Sequence, residues 1–288
     1  MGAPDPVDRL RAAIAARAGL DVGGGRGVPF LPALERAAAE AGRAAAAHAE
    51  ALVADPLALD GFVEALTVGE TWLFRERGAW ERIEREILPG RLAARLRAGG
   101  RERLRAWCAG CSTGEEAFSL AIVLAEARVP APVHLVATDL SAAAVARARR
   151  GALSEWSLRG AAAARARPWL REEDGGLLVA PGIVDRIRFG VHNLALPGWQ
   201  ADPLGLSDLD LVLCRNVLIY LAPEVVREVA GRLLQALAPG GWLVTGAADP
   251  PLAGLAPFEV RTGPEGAAYR RPEGTVRGRG PAAARAPH

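Results

Sequence analysis

Two hydrophobic periods divide this chain. Between residues 6 and 66 apolar positions recur every three or four residues, the helical period, and no strand-like alternation interrupts them. Val7 to Ala18 places Leu10, Ile14 and Ala18 on one face and Arg9, Arg11 and Arg17 elsewhere. Gly19 to Pro29 is a glycine-rich break, and Leu31 to Ala54 reads as one long alanine-rich helix. Asp55-Pro56 then starts a shorter helix to about Leu66, because proline suits a first helical turn. Residues 1–66 are therefore expected to form a small all-helical domain. Thr67 to Trp80, TVGETWLFRERGAW, crowds aromatic and charged residues into a connector. A helix over 78–97 and a basic loop over 97–103 complete the linking segment 67–103.

From Leu104 short apolar runs alternate with helical stretches. Strands are expected near 104–108, 133–138, 186–190, 209–214 and 241–246, and helices near 115–128, 141–150 and 223–238. This alternation predicts an α/β fold, a doubly wound parallel sheet with helices on both faces. Phe258 to Arg261 and Ala267 to Arg271 flank a Gly-Pro-Glu-Gly turn and predict a terminal antiparallel hairpin. The interval 151–185 is too long for a plain crossover. Within it, two short strands flank Glu-Glu-Asp-Gly-Gly, which predicts a small β insertion over about 169–180. The α/β domain is thus expected over 104–271, and the Pro-, Gly- and Arg-rich residues 272–288 are expected to be a disordered tail.

Composition changes this picture little. Half of the 288 residues are hydrophobic, enough for a sizeable core, and the net charge of +2 gives no global field that argues for nucleic acid. Every basic residue is arginine. Three cysteines, an odd number, point to a reducing compartment. No apolar run is long enough to span a membrane, and MGAPDPVDRL lacks the layout of a signal peptide. A cytoplasmic monomer without membrane insertion is expected.

The candidate chemistry starts at Leu104 to Glu116, LRAWCAGCSTGEE, a strand, a small-residue turn and an acidic helix start. Gly110 and Gly114 suit a turn that a ligand approaches closely, and Ser112 and Thr113 are good N-cap types. The next strand ends in Asp139, placed to hold two ribose hydroxyls. An NAD site, an S-adenosylmethionine (SAM) site and an ordinary turn with a capping Asp all fit these residues. The spacing departs from GxGxxG and favours SAM. One of Glu115 and Glu116 serves the helix dipole, while the other is free to hold a cationic group. Cys108 and Cys111 form a CxxC without a second pair, so neither a zinc nor a redox site is expected. Arg215 and Asn216 close an apolar strand where such folds put ligands, with Tyr220 just beyond. Tyr220 is equally readable as a core aromatic. No metal constellation is expected among the four scattered histidines.

Taken together, WCAGCSTGEEAFSLA, VATDLSAAAVARAR, FGVHNL, LVLCRNVLIYL and LAPGGWLVTGAADP, with TVGETWLFRERGAW before them, resemble the chemotaxis receptor glutamate methyltransferases, the CheR family, over residues 6 to 271. The resemblance implies a class I SAM-dependent methyltransferase that esterifies glutamates of chemoreceptor cytoplasmic helices and releases S-adenosylhomocysteine (SAH). By motif, Thr71 and Arg75 look like cofactor contacts of the connector, where Gly69 replaces the frequent Asn. Glu115 resembles the acid that binds the methionine part, and Asp139 the acid that binds ribose. Asn193 and Leu194, with Asn216 and Val217, resemble the adenine and cofactor-side contacts. Arg75 and Tyr220 are similar to residues lining the transfer site. The β insertion sits where the family carries a small β subdomain that could take a receptor C-terminal tether. Gly246-Ala247-Ala248-Asp249 replaces the frequent Gly-His-Ser-Glu. A different class I methyltransferase and a non-catalytic SAM-binding module in a signalling array are the rival readings.

Overall fold

The computed structural model describes residues 4–23, 27–67, 69–97, 104–129, 133–173, 175–199, 203–263 and 266–274. Most of the expected basic loop (98–103) and of the expected tail (275–288) lies outside the described residues.

The N-terminal region forms α1 (Pro6–Ala18), α2 (Phe30–Glu40), α3 (Ala45–Ala54) and α4 (Pro56–Leu66). The single helix expected over 31–54 is two helices. Gly42 turns left-handed at φ +64°, and the Arg43 N–H reaches back to the Ala38 carbonyl at 2.9 Å, the closed ending that glycine permits. Flanking alanines hide this break, since they continue the helical pattern on both sides. Asp5 and Asp55 cap α1 and α4 through Val7 N–H (2.7 Å) and Leu57 N–H (2.9 Å).

The linking helix runs as α5 (Arg77–Arg82), a π turn (Ile83–Ile87) and α6 (Leu88–Arg97). Pro89 has no N–H to donate, and the helix widens in the turn before it. The α/β part then follows as β1 (Arg105–Ala109), α7 (Glu115–Glu126), β2 (His134–Asp139) and α8 (Ala142–Arg149). Next comes the insertion, with β3 (Ala152–Leu153), β4 (Leu170–Glu173) and β5 (Gly176–Val179). The expected hairpin is here a three-stranded sheet in the order β3-β5-β4. The extra strand comes from residues just after α8. The chain continues through α9 (Pro181–Val184), β6 (Ile187–Val191), β7 (Leu209–Cys214), α10 (Pro223–Ala236), β8 (Leu237–Thr245), β9 (Glu259–Gly263) and β10 (Gly266–Arg270).

The main sheet has the order β6-β2-β1-β7-β8-β10-β9. The first five strands are parallel, and β10 runs antiparallel to both β8 and β9. Alternate side chains enter opposite layers, as the two-residue period requires. Trp107, Val136, Val212 and Leu243 face one layer, with α10 and the N-terminal helices. Ala106, Leu135, Leu213 and Val244 face the other, with α5 to α8. Leu10, Ile14 and Leu34 belong to the same continuous apolar cluster as Trp107 and Leu233, so the N-terminal helices share their core with the sheet.

At the amino edge of the sheet, Asp210 is fully buried. Its carboxylate accepts from Arg91 (2.6 and 2.9 Å), from Arg95 (3.0 Å) and from the Arg105 backbone N–H (2.9 Å). These bonds fasten α6 to β7 and β1. Asp210→Ala leaves two buried guanidinium groups without that acid and is expected to lower unfolding free energy by about 3–5 kcal/mol, measured by chemical denaturation.

Candidate active site

Four strand ends meet at one cavity. Gly110 follows β1, Asp139 ends β2, His192 follows β6 and Arg215 follows β7, and all four line a cavity of about 390 Å³. This is the carboxyl edge of the sheet, at the switch where the order reverses between β1 and β7. Connector residues Gly69, Thr71 and Arg75 form one wall, and Ala18, Leu20 and Val28 add an apolar wall from the N-terminal region. That second wall carried no signal in the sequence, because these residues are ordinary apolar positions.

The turn after β1 is built from close backbone contacts. Gly110 has φ +83°, and a Cβ there would lie 2.3 Å from Val217 Cγ2, so glycine lets the ends of β1 and β7 close on each other. The N–H groups of Gly110 and Cys111 both donate to the Thr138 carbonyl at 2.8 Å. Ser112 donates its backbone N–H to Asp139 Oδ2 at 2.7 Å, and Ser141 N–H donates to Asp139 Oδ1 at 2.9 Å. Burial pushes the Asp139 carboxyl up from its ordinary value, against these donors. Ser112 and Thr113 do not cap α7. The cap is Gly114, in a left-handed conformation, and the Ser112 hydroxyl is buried with no partner among the described residues.

Of the two acids that open α7, Glu116 lines the cavity, whereas Glu115, expected to bind the methionine part, is not among the lining residues. Glu115 is buried away from the cavity, accepting from Ser157 Oγ and Thr113 Oγ1, each at 2.7 Å. Glu116 lines the cavity and accepts from Arg215 Nη1 at 2.9 Å. Its other oxygen is buried without a partner among the described residues. Burial pushes the Glu116 carboxyl up, with Arg215 opposing.

Arg215 is the hub of the far wall. Besides Glu116 it reaches the Arg75 carbonyl at 2.6 Å and Glu76 Oε2 at 3.2 Å. Burial opposes the Glu76 charge, but Arg215, Asn216 and the Ala247 N–H together hold its carboxyl below the ordinary value. Asn216, left-handed at φ 58°, donates Nδ2 to Glu76 Oε1 at 3.2 Å. Asp249 clamps the same turn, accepting N–H bonds from Asn216 (2.6 Å), Gly246 (2.8 Å), Val217 (3.1 Å) and Ile219 (3.3 Å). Glu76 and Asp249 escaped the sequence reading. The available signal was that an arginine ending an apolar strand needs buried acids from elsewhere in the chain.

The remaining candidates converge on this cavity. Leu194, Val217 and Tyr220 line it, as does Asn193. The Asn193 amide is already engaged, donating to the Arg17 carbonyl (2.9 Å) and accepting from Ala195 N–H (2.9 Å). Arg75 donates to the Glu70 carbonyl at 2.6 Å, and its guanidinium lies 4.3 Å from the Trp72 ring centre. Burial raises the Tyr220 phenol above its ordinary value, against the charge of Arg75. Cys108, Cys111 and Cys214 are buried free thiols, all pushed well up by burial.

A doubly wound sheet with a glycine turn after β1 and an acid ending β2 places a nucleotide-type cofactor cradle at the carboxyl ends of its strands. The open oxygen of Glu116, the unpartnered Ser112 hydroxyl and the spare acceptor positions of Asp139 are the polar groups such a cofactor would engage. Residues 69–253 match the family described as CheR methyltransferase, SAM binding domain. The chain is 34% identical over 195 residues to chemotaxis protein methyltransferase 1 of Pseudomonas aeruginosa, covering 65% of this chain and 68% of that protein. It is 30% identical over 195 residues to the chemotaxis protein methyltransferase of Listeria innocua, covering 68% of this chain and 70% of the relative. A probable biofilm formation methyltransferase of P. aeruginosa, WspC, is 31% identical over 96% of this chain and 64% of its own length. The chain belongs to the CheR methyltransferase family, and its cofactor is SAM.

Glu116 carries a pH prediction. Its carboxyl is raised, so it takes up a proton at a higher pH than an ordinary glutamate and would then lose the charge that could pair with a cationic group of the cofactor. SAH affinity is expected to fall as pH drops from 7 toward 5. Glu116→Gln keeps an oxygen for Arg215 but should bind SAH about 2 kcal/mol more weakly at pH 7, with a shallower pH slope. Asp139, also raised, accounts for the slope that remains. Calorimetry across this range checks both expectations.

Proposed function

We propose that this protein transfers the methyl group of SAM to glutamate side chains on the cytoplasmic helices of chemoreceptors, giving glutamate methyl esters and SAH. The observation that carries this reading is that Arg75 and Tyr220, from the connector and from the turn after β7, line the same cavity as Gly110, Asp139 and Asn216. The names of the P. aeruginosa and L. innocua relatives support a role in chemotaxis.

A glutamate carboxylate titrates near 4.3 and is ionised at neutral pH, so its attack requires no general base. Bound SAM would supply a sulfonium-activated methyl group, whose leaving sulfur becomes neutral. The protein's part is then alignment and removal of water. Asp139 would hold the ribose hydroxyls, and Glu116 the ammonium. Arg75 is fixed by the Glu70 carbonyl and by Trp72. Its Nε is buried, with no hydrogen-bond partner among the described residues and the Glu76 carboxylate 3.9 Å away. Arg75 would steer the acceptor carboxylate, and the Tyr220 hydroxyl would orient it. The free edge of β4 in the insertion would suit an added peptide strand, such as a receptor tether.

Labelled SAM with membranes containing chemoreceptors of the source cell should yield base-labile methyl ester on the receptor. The receptor that takes the label identifies the pathway served, chemotaxis or biofilm formation. Retained SAH binding without any ester would instead favour a non-catalytic SAM-binding module. Tyr220→Phe is expected to lower turnover while SAH affinity stays within about 1 kcal/mol of wild type. Arg75→Ala should lower turnover further, because a carboxylate in a partly dry site is then left unpaired. Steady-state kinetics with calorimetry on both variants checks this pair.

A further inference from the structure

A further guanidinium, that of Arg159, stacks on a ring that lines the cavity, and the transfer chemistry does not use it. Trp72 lines the cavity and holds two arginines, Arg75 at 4.3 Å and Arg159 at 3.6 Å from its ring centre. Arg159 also lies 3.5 Å from the ring centre of Trp156, which is 52% exposed. Folding usually withdraws so large an apolar side chain from water, and aromatic faces pre-set a guanidinium for a planar acid. The run Trp156, Arg159, Trp72, Arg75 thus leads from solvent to the transfer site.

The segment that carries Arg159 is anchored from below. Trp156 belongs to a short 3₁₀ turn, Glu155–Leu158. Ser157 of that turn donates its hydroxyl to buried Glu115 at 2.7 Å and accepts the Leu73 N–H on its carbonyl at 2.9 Å. Ser157 thereby ties this turn to the start of α7 through Glu115, which is not among the cavity-lining residues, and to the connector through Leu73. Besides these two rings, the Arg159 guanidinium has one exposed acid partner among the described residues. Its Nη2 donates to Glu70 Oε1 at 3.0 Å, and the two side chains are 24% and 52% exposed. A pair so exposed is weak and exchanges readily for another acid.

We propose that Arg159, stacked between Trp156 and Trp72, binds a second carboxylate of the protein substrate, beside the glutamate that accepts the methyl group, and that Glu70 holds this place in the free enzyme. This rests on the glutamate-methylating reading above. Arg75 serves the reacting carboxylate, and Arg159, one ring further out, selects substrates with an acidic neighbour. Glu70 stands in for that neighbour until the substrate displaces it.

The test uses the full chain and two forms of a chemoreceptor cytoplasmic fragment, one with acidic residues flanking the modified glutamate and one with those neighbours changed to glutamine. Arg159→Gln is expected to raise KM for the acidic fragment about ten-fold, with kcat and SAH affinity within about two-fold, and to erase the preference for acidic over neutral fragment. Glu70→Gln is expected to lower KM for the acidic fragment and leave that for the neutral one unchanged. Equal effects of Arg159→Gln on both fragments, or none on either, would overturn the inference while leaving glutamate methylation intact. If Arg159→Gln lost SAH binding, the Glu70→Gln comparison would decide by itself, a uniform or absent shift counting against the proposal. A wild-type enzyme that forms no base-labile ester on either fragment would overturn both readings.

Discussion

The site depends on one buried charge. Arg215 ends an apolar strand, its side chain is 1% exposed, and a guanidinium stays protonated in proteins. Removing such an ion from water costs several kcal/mol unless acids and acceptors replace the lost hydration. Here they come from two separate segments: Glu116 of α7, and the Arg75 carbonyl with the adjacent Glu76 carboxylate of the connector. The cost of leaving Arg215 unpaired therefore holds the connector against the sheet. Without the connector, Gly69, Thr71 and Arg75 would not line the cavity.

That arrangement also concentrates unusual backbone. Phe74, Glu76, Ser112 and Asn216 are four of the six non-glycine residues with left-handed backbone among the described residues. Each such conformation costs energy, on the order of 1–3 kcal/mol, and persists only where surrounding bonds impose it. Ser119 Oγ accepts the Phe74 N–H, Asp139 accepts the Ser112 N–H and Asp249 accepts the Asn216 N–H. Asp139 and Asp249, which shape the pocket, thus also hold two of its strained turns. On the opposite side, Glu64 of α4 accepts from the Ser141 hydroxyl (2.6 Å) and the Ala143 N–H (2.8 Å) at the start of α8. This contact places the N-terminal helices directly beside the Asp139 turn.

Several features are local in origin and were readable along the chain. The strands β1, β2, β6 and β7, the glycine turn and Asp139 each follow from the chemistry of neighbouring residues, as does the opening of α4 by an Asp-Pro pair. The break at Gly42 was misread for the opposite reason. Alanine supports a helix without specifying where it ends, and the ending was decided by how α3 folds back on α1. The third strand of the insertion was missed because two residues are too few to show any period.

The sequence by itself therefore determined the class of fold and many of the residue types around the cavity, because hydrophobic period, turn chemistry and motif spacing are properties of consecutive residues. It could not say which of Glu115 and Glu116 faces the cavity. Successive helical residues point about 100° apart, and the phase of α7 is set by the left-handed Gly114 and by packing against the sheet. Nor could it pair Arg215 with Glu76, or Asp249 with the amides of Asn216, Val217 and Ile219. Those partners are distant in the chain, and only the closed tertiary structure makes leaving them apart too costly.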